Sequence, residues 1–217
     1  MSDDGGLPAR ERRPNDPERT RADILDVATE EFAAHGLSGA RVDVIAERTR
    51  TSKRMIYYYF GGKEGLYQAV LEKAYADIRA QENQLELEDV PPPEALRRLV
   101  ETTFEYDEAH PHFIRLVSIE NINHGQYLAQ SQAIRSMNLS VIETLADILD
   151  RGVRQGVFRK GVDPIDLHML ISALCFFRVS NRYTFGEIFS RDLGEKDLRD
   201  RHKAMIADMV LRHVRAD

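Results

Sequence analysis

From Ile24 to Val210 the apolar residues return every three or four positions, and no run of four or more residues alternates as a strand would. A period near 3.6 gathers such residues into one stripe along a helix, so the spacing predicts an all-α protein. Thr20 reads as the cap of a first helix, with Asp23 three residues on and Ile24, Val27, Ala28 and Phe32 as its stripe, ending at Gly36. A short helix fits "VDVIAERT", and Ser52 caps a third that Gly61 and Gly62 terminate. A long helix then begins at Lys63. The prolines of "DVPPPEAL" break the pattern, and Glu94 is the expected start of the next helix. Pro111 fits another first turn, a long helix covers roughly 130–155, and Asp163-Pro164 is a cap followed by proline at the first helical position. A last helix carries Leu198, His202, Met205, Ile206, Met209 and Val210.

The segment "TSKRMIYYYFGGKEGLY" conflicts with a simple buried stripe. Three tyrosines in a row, Tyr57, Tyr58 and Tyr59, fan over roughly 200° of a helix and cannot all face one core. Some must look outward beside Lys53 and Arg54. The whole chain carries a net charge of −6, which disfavours phosphate binding, but the charge is unevenly spread. Between 41 and 63 the six cations Arg41, Arg48, Arg50, Lys53, Arg54 and Lys63 face only Asp43 and Glu47. From 81 to 217 there are 17 Lys and Arg against 22 Asp and Glu, so the acid lies mainly in the C-terminal part.

Three short helices within about 45 residues make a helix-turn-helix arrangement. In that geometry the N-terminal turn of the second helix of the pair meets base edges in a DNA groove. Ser52, Lys53, Arg54 and Met55 fall in that turn, while Ile56 and Phe60, four apart, point back to the core. Tyr57 and Tyr58 would flank the groove and Tyr59 lean toward the DNA backbone. The start of the Lys63 helix, with its free N–H groups and one lysine charge, suits a phosphate. An exposed tyrosine cluster also suits a protein interface, so a helical protein-interaction module using that face is the alternative reading.

"ILDVATEEFAAHG" followed by "ARVDVIAERTRTSKRMIYYYFGGKEGLYQAVL" resembles the DNA-binding domain of TetR-family transcriptional regulators. Phe32, Gly36, "VIAER", "SK", "YYYF" and "KEGL" carry the resemblance, which covers about the first 75 residues. It implies a repressor released from an operator by a small-molecule effector, built as a polar N-terminal arm (1–18), a helix-turn-helix domain (19–66) and a helical ligand-binding and dimerisation domain (67–217). Two positions depart from the family pattern. Arg50 stands at the usual turn glycine, where a positive φ would cost arginine of order 1 kcal/mol. Arg41 replaces the threonine that often caps the second helix, so a phosphate contact there would come from a cation. The family layout also implies a homodimer through the last two long helices. Independently, the helix after Pro164 is apolar on more sides than one chain easily buries.

Among the C-terminal helices, polar residues interrupt apolar stretches at Arg115, Glu120, Asn121, His124, Arg178 and Asn181, with Phe104, Phe113, Tyr127 and Phe177 near them in sequence. That mixture suits a ligand pocket, and it equally suits buried groups that satisfy one another, Arg178 with Glu120 for instance. No cofactor or metal is expected, because the histidines of "HPH" cannot share a helical face. No G-x-S-x-G, P-loop or dinucleotide-binding glycine pattern is present, so no enzyme is expected. The lone Cys175, in an apolar run, excludes an intramolecular disulfide and reads as an inert thiol in a cytoplasmic protein. No apolar run reaches the roughly 18–20 residues of a membrane span.

Overall fold

The computed structural model describes residues 16–216, so most of the expected N-terminal arm lies outside the described residues. The helices are α1 (Pro17–Gly39), α2 (Val42–Arg48), α3 (Lys53–Phe60), α4 (Lys63–Asn83), α5 (Pro92–Ala109), α6 (Pro111–Ile122), α7 (Gln132–Arg154), α8 (Pro164–Ser180), α9 (Arg182–Phe189) and α10 (Lys196–Val214). A 3-10 turn, Leu128–Gln130, precedes α7, and the described residues contain no strand beyond the isolated bridge between Phe158 and Arg215. The all-α expectation holds.

Several helix starts differ from those read in the sequence. The cap of α1 is Asp16 rather than Thr20: its carboxylate accepts from the N–H groups of Glu18 and Arg19 at 3.1 and 3.2 Å, and Pro17 occupies the first turn. Thr20 instead donates its hydroxyl to the Asp16 carbonyl at 3.0 Å. Asp-Pro outcompetes threonine because the proline ring presets the helical φ and lacks only an N–H that would be unpaired anyway. The same physics starts α5 at Pro92, ahead of Glu94, with prolines inside its first turn. Ser52 and Asp163 cap α3 and α8 as expected, Ser52 accepting from the Met55 N–H. Gly36 interrupts α1 with φ +65°, where the sequence placed a stop. The short α9, eight residues with none buried, had no counterpart in the reading.

Two apolar cores organise the chain. One gathers Ile24, Ala28 and Phe32 of α1, Ile45 of α2, Ile56 and Phe60 of α3 and Leu66 to Leu71 of α4, and it continues into Leu116 of α6 and Ile134 of α7. The other joins Leu96, Val100 and Phe104 of α5 to Leu145 and Ile148 of α7, Leu167 and Ile171 of α8, and Ile206 and Val210 of α10. Helix α4 leaves the first core and packs along α5 and α7 of the body. The stripe of α10 splits: Leu198, Ile206 and Val210 are buried, but Met205 and Met209 face outward.

The junction of α3 and α4 is tight. A Cβ on Gly65 would stand 2.0 Å from the Phe60 carbonyl oxygen, so only glycine lets α4 cross the end of α3 at this angle. Gly65→Ala must displace backbone, not a flexible side-chain tip. We expect it to cost roughly 1–3 kcal/mol of stability and to weaken DNA binding beyond that loss. Chemical denaturation alongside fragment binding by the folded fraction checks this.

Candidate nucleic-acid interface

The turn between α2 and α3 closes through Arg50 N–H to the Glu47 carbonyl at 3.1 Å and Thr51 N–H to the Ala46 carbonyl at 3.0 Å. Arg50 sits there at φ +53°, the left-handed conformation anticipated from the missing glycine. Ile56 and Phe60 anchor α3 in the first core. Tyr57 and Tyr58 are 47 % and 79 % exposed, so they are outward aromatics as read. Tyr59 is half-buried against the first core, its ring edge-on to Tyr58 at 5.5 Å, and belongs partly to the packing of α3.

The cations of this face are arranged before any partner arrives. Lys53 pairs with Asp43 of α2, and Arg48 pairs with Glu30 of α1, both at half-exposed sites. Lys63, at the start of α4, donates from Nζ to the Ser38 carbonyl at 3.3 Å. Arg54 and Arg41 are exposed. Arg41 caps α2 with no side-chain bond, while its N–H donates to the Glu31 carboxylate at 2.9 Å, fixing the joint between α1 and α2. Met55 is half-buried beside Ser52. The nine residues expected to meet DNA therefore share one end of the molecule, around α3 and the start of α4.

The expected effector residues do not converge. Glu120, 1 % exposed, accepts from the Tyr67 hydroxyl at 2.9 Å and from the N–H groups of Tyr127 and Leu128 at 3.2 Å each. Burial and that carboxylate raise the Tyr67 hydroxyl pKa. Arg178 does not pair with Glu120, contrary to one sequence expectation. Its Nε lies 3.0 Å from Glu108 Oε1, its guanidinium donates to the Leu193 carbonyl and stacks 5.4 Å from the Phe104 ring centroid, and Arg182 holds the other Glu108 oxygen. Phe113 packs edge-on to Tyr75 and Tyr106. Asn121 donates to the Val117 carbonyl of its own helix, and Asn181 sits at the end of α8, donating to Ser180 and the Phe177 carbonyl. His124 is an exposed turn residue at φ +57° and Phe177 is exposed. Arg115 lines a groove of about 560 Å³ between the end of α1, α6 and the α8–α9 corner.

A different polar group occupies the interior where α4, α5 and α8 approach. Arg79 and Glu82 of α4 and Asp107 of α5 are all buried, and His168 of α8 is half-buried near them. Arg79 Nη1 lies 2.8 Å from Glu82 Oε2 without the alignment of a hydrogen bond, and Arg79 Nε, Arg79 Nη1 and both Glu82 oxygens have no hydrogen-bond partner. Burial first, and the neighbouring acids Glu82 and Glu108 second, push the Asp107 carboxyl up to about 7. Burial likewise pushes Glu82 up to about 7, against the pull of Arg79. Burial and the Arg79 charge lower His168 to about 4, and burial raises the Cys175 thiol. The sequence reading passed over these residues. Their signal was their register: Leu71, Tyr75, Ile78 and Glu82 continue one stripe of α4, and Arg79 follows Tyr75 by four.

The geometry defines a helix-turn-helix protein with a larger helical body attached. Residues 24–70 match the family model of bacterial regulatory proteins, tetR family, and residues 92–210 match the tetracyclin repressor-like C-terminal domain. The HTH-type transcriptional repressor NicS of Pseudomonas putida is 34 % identical over 203 residues, covering 94 % of this chain and 96 % of that protein. The HTH-type transcriptional repressor SCO4008 of Streptomyces coelicolor is 33 % identical over 165 residues, 76 % of this chain and 80 % of that protein. Among solved structures, a tetR-family regulatory protein from Rhodococcus RHA1 superposes with a TM-score of 0.72 at 21 % identity, covering 92 % of this chain and 98 % of its own. The transcriptional regulator SCO4942 from Streptomyces coelicolor does so with a TM-score of 0.66 at 26 % identity, covering 90 % and 98 %. The chain belongs to the TetR family of bacterial transcriptional regulators.

The buried acids give the molecule a pH signature. With folded-state values above those of the unfolded chain, Asp107 and Glu82 hold protons that the unfolded state releases, so their burial becomes costlier as pH rises through 7. His168, with a lowered value, acts oppositely, but only below its unfolded value of 6.5. Between pH 6.5 and 8 the acids decide. Stability should fall by about 1 kcal/mol per acid as pH is raised across that window, and Asp107→Asn should flatten the profile and stabilise the protein at pH 8. Urea denaturation at several pH values measures both effects.

Proposed function

We propose that this regulator is a cytoplasmic homodimeric repressor that holds a two-half-site operator through paired copies of α3 and leaves it when a small molecule binds the helical body. One observation carries the reading. Helix α3 is capped by Ser52, anchored by Ile56 and Phe60, and turns Arg54, Tyr57 and Tyr58 to the outside. The fork of Arg54 suits guanine O6 and N7, and a tyrosine ring can pack on a thymine methyl while its hydroxyl reaches phosphate. Lys63 and the N-terminus of α4 add a phosphate contact.

A symmetric pair follows from the apolar rows left bare. Ile165, Met169 and Phe177 stand outward on α8 at multiples of four, and Met205 and Met209 do so on α10. Two such helices and their copies would cover these rows and set the two α3 helices about one DNA turn apart, roughly 34–36 Å. Coupling to an effector runs through α4, whose first half shares a core with α3 while its last turns carry Arg79 and Glu82 into the body. A ligand that favours one tilt of α4 changes the spacing of the reading helices.

Operator affinity should fall linearly with log salt, and Lys63→Ala should weaken all sequences while reducing that slope by about one. Arg54→Ala should relax sequence preference at one position, costing about 1–3 kcal/mol on the preferred site. Affinity indifferent to salt would instead favour a protein-interaction role for the tyrosine face. Separately, Met169→Glu combined with Phe177→Glu should halve the particle mass seen by sedimentation and abolish tight operator binding while the circular dichroism stays helical.

A further inference from the structure

The group formed by Arg79, Glu82 and Asp107 is costly and gives little structural return. Each side chain is nine-tenths buried or more, and Arg79 and Glu82 retain orphaned polar atoms. Unpaired buried donors and acceptors are rare in folded chains because each forfeits its bonds to water. The buried acid Glu120 differs, since it accepts from three donors. A closed network of that kind needs nothing further. The Arg79 group is open.

Its charges are also unbalanced. Two carboxylates face one guanidinium, and that guanidinium is taken by Glu82. Among the described residues no hydrogen bond or ion pair to the Asp107 carboxylate is present. His168, the other basic group nearby, is held neutral at ordinary pH by burial and by Arg79 itself. Burial pushes the Asp107 carboxyl up to about 7, and the chain provides no cation beside it to draw off that proton.

A route from outside exists beside this group. A depression of about 490 Å³ between α4, the start of α7 and α8 is lined by Tyr75, Asn138, Arg135 and His168. Arg135 is exposed there, with its guanidinium turned to the Ala129 carbonyl at 2.9 Å. Tyr75 precedes Arg79 by one helical turn on the same face of α4. A tyrosine ring along the path suits a cation through its negative π face.

We infer that the Arg79–Glu82–Asp107 group is the effector-recognition site and that it takes a small organic cation, an amine or amidine, whose protonated nitrogen pairs with the Asp107 carboxylate. This rests on the effector-released reading above and names the chemical class of the effector. Arg79 then donates to the ligand's remaining polar groups and Glu82 accepts from them. Because both lie in the last turns of α4, the ligand pulls on the same helix that abuts α3.

The test uses the full-length protein with phenethylamine, tyramine and benzamidine at millimolar concentration, set against the near-isosteric neutral 2-phenylethanol and anionic phenylacetate. Thermal unfolding at pH 7.5 should shift upward with at least one of the three cations and with neither counterpart. Titration calorimetry should show that cation bound at least about thirtyfold more weakly by Asp107→Asn, with Asp107→Glu recovering part of the loss. Equal shifts from cation and neutral isostere, preference for phenylacetate, no response to any cation, or undiminished binding by Asp107→Asn would each overturn the inference. Operator release by the bound cation is measured separately. Binding through Asp107 without release leaves this site standing and removes the effector-released reading, whereas absence of binding with salt-dependent operator affinity intact does the reverse.

Discussion

The hydrogen bond from Tyr67 to Glu120 ties the reading end of this protein to its body. Tyr67 lies on α4 one turn after Lys63, its ring edge-on to Phe32 of α1 at 5.0 Å and to Tyr127 at 5.3 Å. Glu120, near the end of α6, draws in that hydroxyl and the first N–H groups of the 3-10 turn. A buried carboxylate forfeits its bonds to water unless such donors replace them, so the geometry of α4, α6 and the turn is set jointly. Ser131 extends the clasp by donating to Glu72 of α4 at 2.8 Å while capping α7. The first core is thus shared by head and body, and motion of α4 cannot be private to either.

Electrostatics on the reading face follow a similar economy. Although the chain is acidic overall, residues 41–63 carry six cations against Asp43 and Glu47, and Asp43 and Glu30 hold two of those cations in place. Exposed pairs of this kind contribute little stability. Their effect is to limit rotamers, so less side-chain entropy is lost when phosphates replace the carboxylates. The tyrosines act likewise, offering large contact area on few rotatable bonds.

Much of this was legible in the chain because the signals are local. Ser52, Asp163 and Pro164 mark helix starts through bonds made within one turn, and Gly36 and Gly61 adopt the positive φ that their stop positions demand. Arg50 at φ +53° was legible for the same reason, as the residue standing where a glycine was expected. The misread starts of α1 and α5 came from underrating proline in a first turn. The outward fan of Tyr57 and Tyr58 follows from the helical period once Ile56 and Phe60 are turned inward.

The sequence by itself determined the helical class, the reading helix with its cap and exposed aromatics, and the family, since each rests on neighbours a few residues apart. Tertiary structure alone decided that Arg178 meets Glu108 instead of Glu120, that Glu120 is a closed clasp, and that Arg79, Glu82 and Asp107 share one buried space with open bonds. The physical reason is distance along the chain. A charge's partner and its burial depend on helices up to about a hundred residues away, and no local pattern of side chains records which of them will close over it.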